Sequence, residues 1–131
     1  MTQKSELGKI GEDLACEYLV GRGYKIIDRN HWRPWGELDI VAIAPDKTLV
    51  FIEVKTMRQS GNFAELTPED QMTASKIFKF KKAALMFAGE HQKLINIKKG
   101  WRLDLVCVNA PYNHSLTVDI KNCTIKHYEN I

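Results

Sequence analysis

At 131 residues, with 44% hydrophobic and 27% charged residues, the chain has the size and make-up of one globular domain over residues 1–131, not of a fibrous, disordered or multidomain protein. A domain of this length buries roughly two thirds of the surface its unfolded chain exposes, so the fold needs no disulfide and no structural metal. The net charge of +3 demands no acidic partner, yet from Lys76 to Arg102 eight Lys or Arg residues stand against one acid, leaving that stretch at +7 and the remainder at −4.

Residues 5 to 21 read as a helix, with Ser5 as N-cap, Leu7, Ile10, Leu14 and Tyr18 along one face, and Gly23 as the stop. Glu12 projects beside that stripe among Gly8, Ala15 and Cys16, small residues that admit a close backbone, so it is expected to face inward over a sheet. Tyr24 to Asp28 predicts a short strand. Gly36 to Ala44 and Thr48 to Thr56 predict two stronger ones, joined through Pro45-Asp46-Lys47 as a hairpin. In the second, both faces begin apolar, which marks a central strand.

Met57 to Leu66 lacks periodicity and reads as a loop that could close over a ligand. Thr67-Pro68-Glu69-Asp70 then starts a helix expected to reach about Gly89, with Ile77, Phe80, Ala84 and Ala88 on one side and Lys76, Lys79 and Lys82 on the other. Arg102 to Val108, Leu116 to Ile120 and Thr124 to Tyr128 predict three more strands, the first reached by a helical crossover. The expected order is αβββαβββ: an α/β domain with a mixed sheet flanked by helices.

Asp39, Glu53 and Lys55 place two acids and a lysine on otherwise apolar strands, where a buried charge needs a partner. Asp39 shares a face with Glu53 if Ala44 opposes Thr48 across a three-residue loop, which would bring the two Cβ atoms to about 5 Å. Hard oxygen ligands at that spacing suit Mg2+ or Mn2+. Lys55, two residues beyond Glu53, projects from the same face towards a scissile phosphate, and Glu12 is placed to hold a second ion or orient water. Such strand acids also form ordinary inward salt bridges with lysine, so spacing alone leaves both readings open.

Gly36-Glu37-Leu38-Asp39-Ile40-Val41 followed by Phe51-Ile52-Glu53-Val54-Lys55-Thr56 resembles the YraN family of small bacterial nuclease-like proteins. Gly11-Glu12 with Ala15, Gly23-Tyr24, Arg29-Asn30 and Arg102-Leu103-Asp104 extend the resemblance over about residues 6 to 108. That family looks like a relative of the archaeal Holliday junction resolvases. The resemblance implies a restriction-endonuclease-like fold, with Asp39, Glu53 and Lys55 as metal and catalytic centre and Glu12 as the helix-borne acid. Family members usually carry an arginine directly after the Lys-Thr pair; here Met57 intervenes, and Arg58 is the expected contact to nucleic acid. A symmetric homodimer follows from the resolvase analogy, although no sequence patch marks its interface.

Lys76, Lys79 and Lys82 are candidate phosphate contacts, though a solvated helix face explains them equally well. Trp32, Trp35 and Trp101 permit base stacking, while tryptophan ordinarily packs. The four histidines share no ligand spacing. Cys16, Cys107 and Cys123 are odd in number and unpaired in spacing, which argues against a disulfide framework and a zinc site. The polar start of the chain and the lack of a long apolar run lead us to expect a cytoplasmic protein away from membranes. Two functions are carried forward: a Mg2+- or Mn2+-dependent endonuclease acting on nucleic acid, with branched DNA favoured by the resemblance, and an inactive nucleic-acid- or protein-binding module on the same fold.

Overall fold

The computed structural model describes residues 4–58, 68–111 and 117–131. Helix α1 (Glu6–Gly21) begins where the Ser5 hydroxyl accepts the Gly8 amide, and it ends at Arg22, with Gly23 in the left-handed region at φ +89°. Strands β1 (Lys25–Arg33), β2 (Gly36–Ile43) and β3 (Leu49–Arg58) follow as two antiparallel hairpins. After α2 (Pro68–Gln71) and α3 (Ala74–Glu90) the chain crosses over to β4 (Trp101–Ala110), parallel to β3, and β5 (Thr124–Tyr128) closes the far edge antiparallel to β4. The five strands lie in sequence order in one mixed sheet with β3 at its centre.

Helices α1 and α3 cover opposite faces. Val50 and Ile52 of β3 pack with Ala15, Cys16 and Leu19 of α1, whereas Leu49 and Phe51 pack with Phe80, Ala84 and Phe87 of α3. Alternation along β3 therefore sends Glu53 and Lys55 to the α3 face and Val54 and Thr56 to the α1 face. No helix is long and apolar enough to cross a membrane among the described residues.

The architecture matches the α/β expectation, and several elements differ in detail. The helix expected from Thr67 is broken: Thr73 accepts the Lys76 amide at 3.2 Å as a new N-cap, and Met72 in the break is buried. The strand expected to end at Asp28 runs on to Arg33, through a register shift between Ile26 and Asp28. In the strand expected over Leu116 to Ile120, Leu116 lies outside the described residues; Val118 makes a single bridge and Ile120–Asn122 form a 3-10 turn. Of the loop expected over Met57 to Leu66, Met57 and Arg58 complete β3 and the rest lies outside the described residues, as does Thr67. On α1 the deepest face is Gly11, Glu12, Ala15, Cys16 and Leu19, not the Leu7–Tyr18 stripe, because the small residues let the helix settle onto the sheet. A Cβ on Gly11 would overlap the Thr56 side chain.

Candidate active site

The β2–β3 hairpin sets the first contact. Ala44 N donates to Thr48 O at 2.9 Å, and the pairs run Ile43↔Leu49, Ala42↔Val50, Val41↔Phe51 and Ile40↔Ile52. The ladder ends at that last pair, and the alternation of β2 breaks at Asp39: Leu38 packs with Val41 on the α3 face, Ile40 with Ala42 on the α1 face. There the strands part, and the Val54 amide donates to Asp39 Oδ2 at 2.9 Å. The aspartate is buried, and its carboxylate thus substitutes for a backbone acceptor at the centre of the sheet.

Glu53 shares a hydrogen bond with Asp39. Burial first, and then the neighbouring negative charge of Asp39, push the Glu53 carboxyl up to about 8, against the opposing pull of Lys55 and Lys4. Lys55 Nζ stands 3.8 Å from Glu53 Oε1, beyond hydrogen-bond length, so its donors remain available to another anion.

Glu12 arrives on the other side of Asp39. Its Oε1 accepts Asn30 Nδ2 at 2.8 Å and Arg29 Nε and Nη2 at 3.3 Å each. Asn30 adopts a positive φ of 51°, a conformation asparagine tolerates better than most residues. The Lys4 ammonium lies 3.1 Å from Glu12 Oε2 and donates to Asp39 Oδ1 at 2.7 Å. Its contact with Oε2 is one of charge, without hydrogen-bond alignment, so that oxygen is buried and lacks a hydrogen-bond partner. Burial works against the Lys4 charge, but the hydrogen bond to Asp39 and the charges of Asp39 and Glu12 outweigh it and raise the ammonium pKa.

The groups thus form a chain, Glu12–Lys4–Asp39–Glu53–Lys55, that passes through the sheet where β2 and β3 separate. The described residues contain no ready cluster of three or more metal-ligating side chains. Asp39 and Glu53 nevertheless offer the adjacent hard oxygens that Mg2+ or Mn2+ prefers, and Glu12 Oε2 is a third oxygen lacking a hydrogen bond, so the residue chemistry fits such an ion.

On the α3 face, Glu53 and Lys55 open into a cleft of about 270 Å3, rimmed by Lys76, Lys79 and Trp35. Lys82 is exposed on α3 but does not line it, and neither does Arg58, which ends β3 opposite Ala110. A second cleft of about 240 Å3, on the α1 face, is lined by Lys4, Glu12, Val54 and Thr56. Of the sequence-predicted residues, Glu53, Lys55, Lys76 and Lys79 share one cleft, Asp39 meets Glu53 without lining it, and Glu12 lies on the other face of the sheet, linked to Asp39 through Lys4. Sequence reasoning missed Lys4, which precedes any periodic segment, and assigned no role to Arg29 or Asn30, although that pair stood out as part of the resemblance.

Residues 11–108 match the family described as Uncharacterised protein family UPF0102. The chain is 38% identical to a UPF0102 protein of Corynebacterium efficiens over 108 residues, 82% of this chain and 80% of that one. With a UPF0102 protein of Fervidobacterium nodosum the identity is 32% over 123 residues, 94% and 79% of the two chains. With one from Syntrophomonas wolfei it is 48% over 82 residues, 63% and 68%. The chain belongs to the UPF0102 family, the YraN family whose motifs it carries in β2 and β3.

Proposed function

We propose that this protein is an endonuclease that hydrolyses phosphodiester bonds in nucleic acid, with Asp39 and Glu53 holding Mg2+ or Mn2+ and Glu12 contributing from α1. The observation that carries this reading is the meeting of Asp39, anchored by the Val54 amide at 2.9 Å, with Glu53 on the next strand, where Lys55 Nζ stands 3.8 Å from the Glu53 carboxyl. When bound, the ion supplies a water of lowered pKa and neutralises charge on the phosphate.

The chain's own groups divide the remaining work. The Val54 amide fixes Asp39 Oδ2 and so orients the carboxylate, whose Oδ1 a ligand would take over from Lys4. Glu53 would hold the ion in its ionised form, which the charges of Lys55 and Lys4 favour. Lys55, held only loosely by Glu53, places its ammonium against a non-bridging phosphate oxygen where charge develops. Lys76 and Lys79 bind the flanking phosphates, and Lys82 and Arg58 serve as more distant contacts outside the cleft. DNA is the favoured substrate by resemblance, and the cytoplasm the expected compartment, which suits three cysteines that form no disulfide.

A second reading has one observation in its favour: Lys4 already bridges Glu12 and Asp39, as it would in a charge network that only supports a binding surface. The two readings separate on cleavage of single-stranded, duplex and four-way-junction DNA and of structured RNA with Mg2+ or Mn2+. The nuclease reading expects cutting that Asp39→Asn and Glu53→Gln each lower by roughly a hundredfold or more, the scale of losing a transition-state charge stabiliser. Salt-sensitive binding by the wild type, with every substrate left intact, would establish the binding module instead.

A further inference from the structure

Of the three tryptophans, Trp32 and Trp35 are both exposed, at 37% and 40%, but only Trp35 lines the cleft that holds Glu53 and Lys55. Trp101 is half-buried, with its ring 5.5 Å from Phe51 in an edge contact. Trp35 is 40% exposed, makes no ring contact among the described residues, and stands in the β1–β2 turn at the mouth of the cleft that holds Glu53 and Lys55. The turn is tight, closed by the Arg33↔Gly36 pair, and Gly36 lies so close to α3 that a Cβ there would come within 2.9 Å of Ala83 Cβ. Trp35 is thus carried on a braced hairpin, and no ring contact among the described residues accounts for it.

Met72 and Phe80, both buried, make the cleft's other wall apolar. Lys76 and Lys79 stand on its rim and Lys55 at its end, three ammonium groups against the carboxyls of Glu37 and Glu53. A slot with aromatic and aliphatic walls and cationic edges suits a flat, π-faced group that carries phosphates. We propose that Trp35 stacks an unpaired nucleobase in this cleft, beside the scissile phosphate, so that the substrate is single-stranded or locally unpaired nucleic acid and not intact duplex. A base within a duplex is already stacked on its neighbours and cannot enter a recessed slot, whereas an unpaired base offers its face at little cost. The inference rests on reading Glu53 and Lys55 as the end of the cleft where the phosphate is cut.

The test is binding in chelator, where nothing is cleaved, so its result does not depend on hydrolysis. Fluorescence anisotropy compares a short single-stranded DNA, the same sequence as RNA, and its duplex at one salt concentration. Wild type is expected to bind a single strand at least tenfold more tightly than duplex. Trp35→Ala should weaken single-strand binding by roughly tenfold, the scale of one lost base stack, and change duplex binding by less than about twofold. Trp35→Phe should retain most of the affinity, and Lys76→Ala with Lys79→Ala should weaken all probes and flatten their salt dependence. Preference for the DNA or the RNA strand, with the Trp35 effect intact, supports the inference and identifies the sugar. Equal affinity for duplex, or a Trp35→Ala protein that binds single strands like wild type, overturns it. So does a Trp35→Ala protein altered only in self-association, since the face would then bind a second copy. A wild type that binds as expected but never cuts with metal would remove the nuclease reading and leave the stacking site standing.

Discussion

Glu53→Gln turns the electrostatics of the candidate site into a stability measurement. A carboxyl with an ordinary pKa of 4.5 that reaches about 8 in the folded chain binds its proton more tightly folded than unfolded. Its contribution is therefore fully present below about pH 4.5 and lost as the pH rises through about 8. At about 1.4 kcal/mol per pH unit, that interval corresponds to at most about 5 kcal/mol. Since 21% of the Glu53 side chain meets water and Lys55 stands nearby, we expect about 2–3 kcal/mol. Glutamine imitates the protonated carboxyl, keeping a donor for Asp39 without acquiring charge. Urea unfolding in chelator from pH 5 to 9 should show the wild type losing about 2–3 kcal/mol more than Glu53→Gln, with the variant the more stable at the alkaline end. Mn2+, which favours the ionised carboxylate, should reverse the wild-type loss and leave the variant unchanged. Parallel curves for the two proteins would refute the reasoning, because Glu53 would then titrate alike folded and unfolded.

Lys4→Met removes a cation 2.7 Å from Asp39 and 3.1 Å from Glu12; it should cost about 1–2 kcal/mol in chelator yet tighten Mn2+ binding several-fold by calorimetry, and unchanged binding would show that ion and ammonium do not compete. Gly11→Ala forces α1 away from Thr56 and should cost about 2 kcal/mol by thermal unfolding, with Gly21→Ala, whose Cβ meets nothing, as the neutral control. Asp104 is fully buried; burial pushes its pKa up, but hydrogen bonds from His127 Nε2 at 2.7 Å, Arg102 Nε at 3.0 Å and the Asn130 amide at 3.0 Å hold it below the ordinary value. Asp104→Asn should therefore lose about 3 kcal/mol at pH 7, with the difference from wild type shrinking as the pH falls through the acid range in chemical denaturation.

The sheet's central register was legible from one loop. Three residues between Ala44 and Thr48 determine the pairing from Ile43↔Leu49 to Ile40↔Ile52, but the ladder ends before Asp39, whose side chain alone meets Glu53. Glu12 could be read as inward-facing from the small residues around it, since close helix–sheet approach requires them. Other features depended on tertiary competition. Pro68 and the acids after it make a strong helix start, but Thr73 offers a second cap and Met72 a side chain to bury, so the chain restarts its helix there. The lysines of α3 share one face in projection, yet only Lys76 and Lys79 reach the cleft, because the place where Glu53 and Lys55 emerge depends on the sheet and not on the helix. Lys4 could not be assigned at all: a lone lysine ahead of a helix cap carries no periodic signal, and Asp39, the partner it donates to, lies 35 residues away.

The ammonium between Glu12 and Asp39 also bears on when this pocket takes shape. Acidic pockets that lack an internal counter-charge tend to stay splayed by mutual repulsion until an ion draws them in, which couples their shape to its supply. Here a lysine tethered to the chain bridges the helix acid and the strand acid with no ion required. Whatever charged group later enters has only to trade places with it, and recognition becomes an exchange within a finished frame.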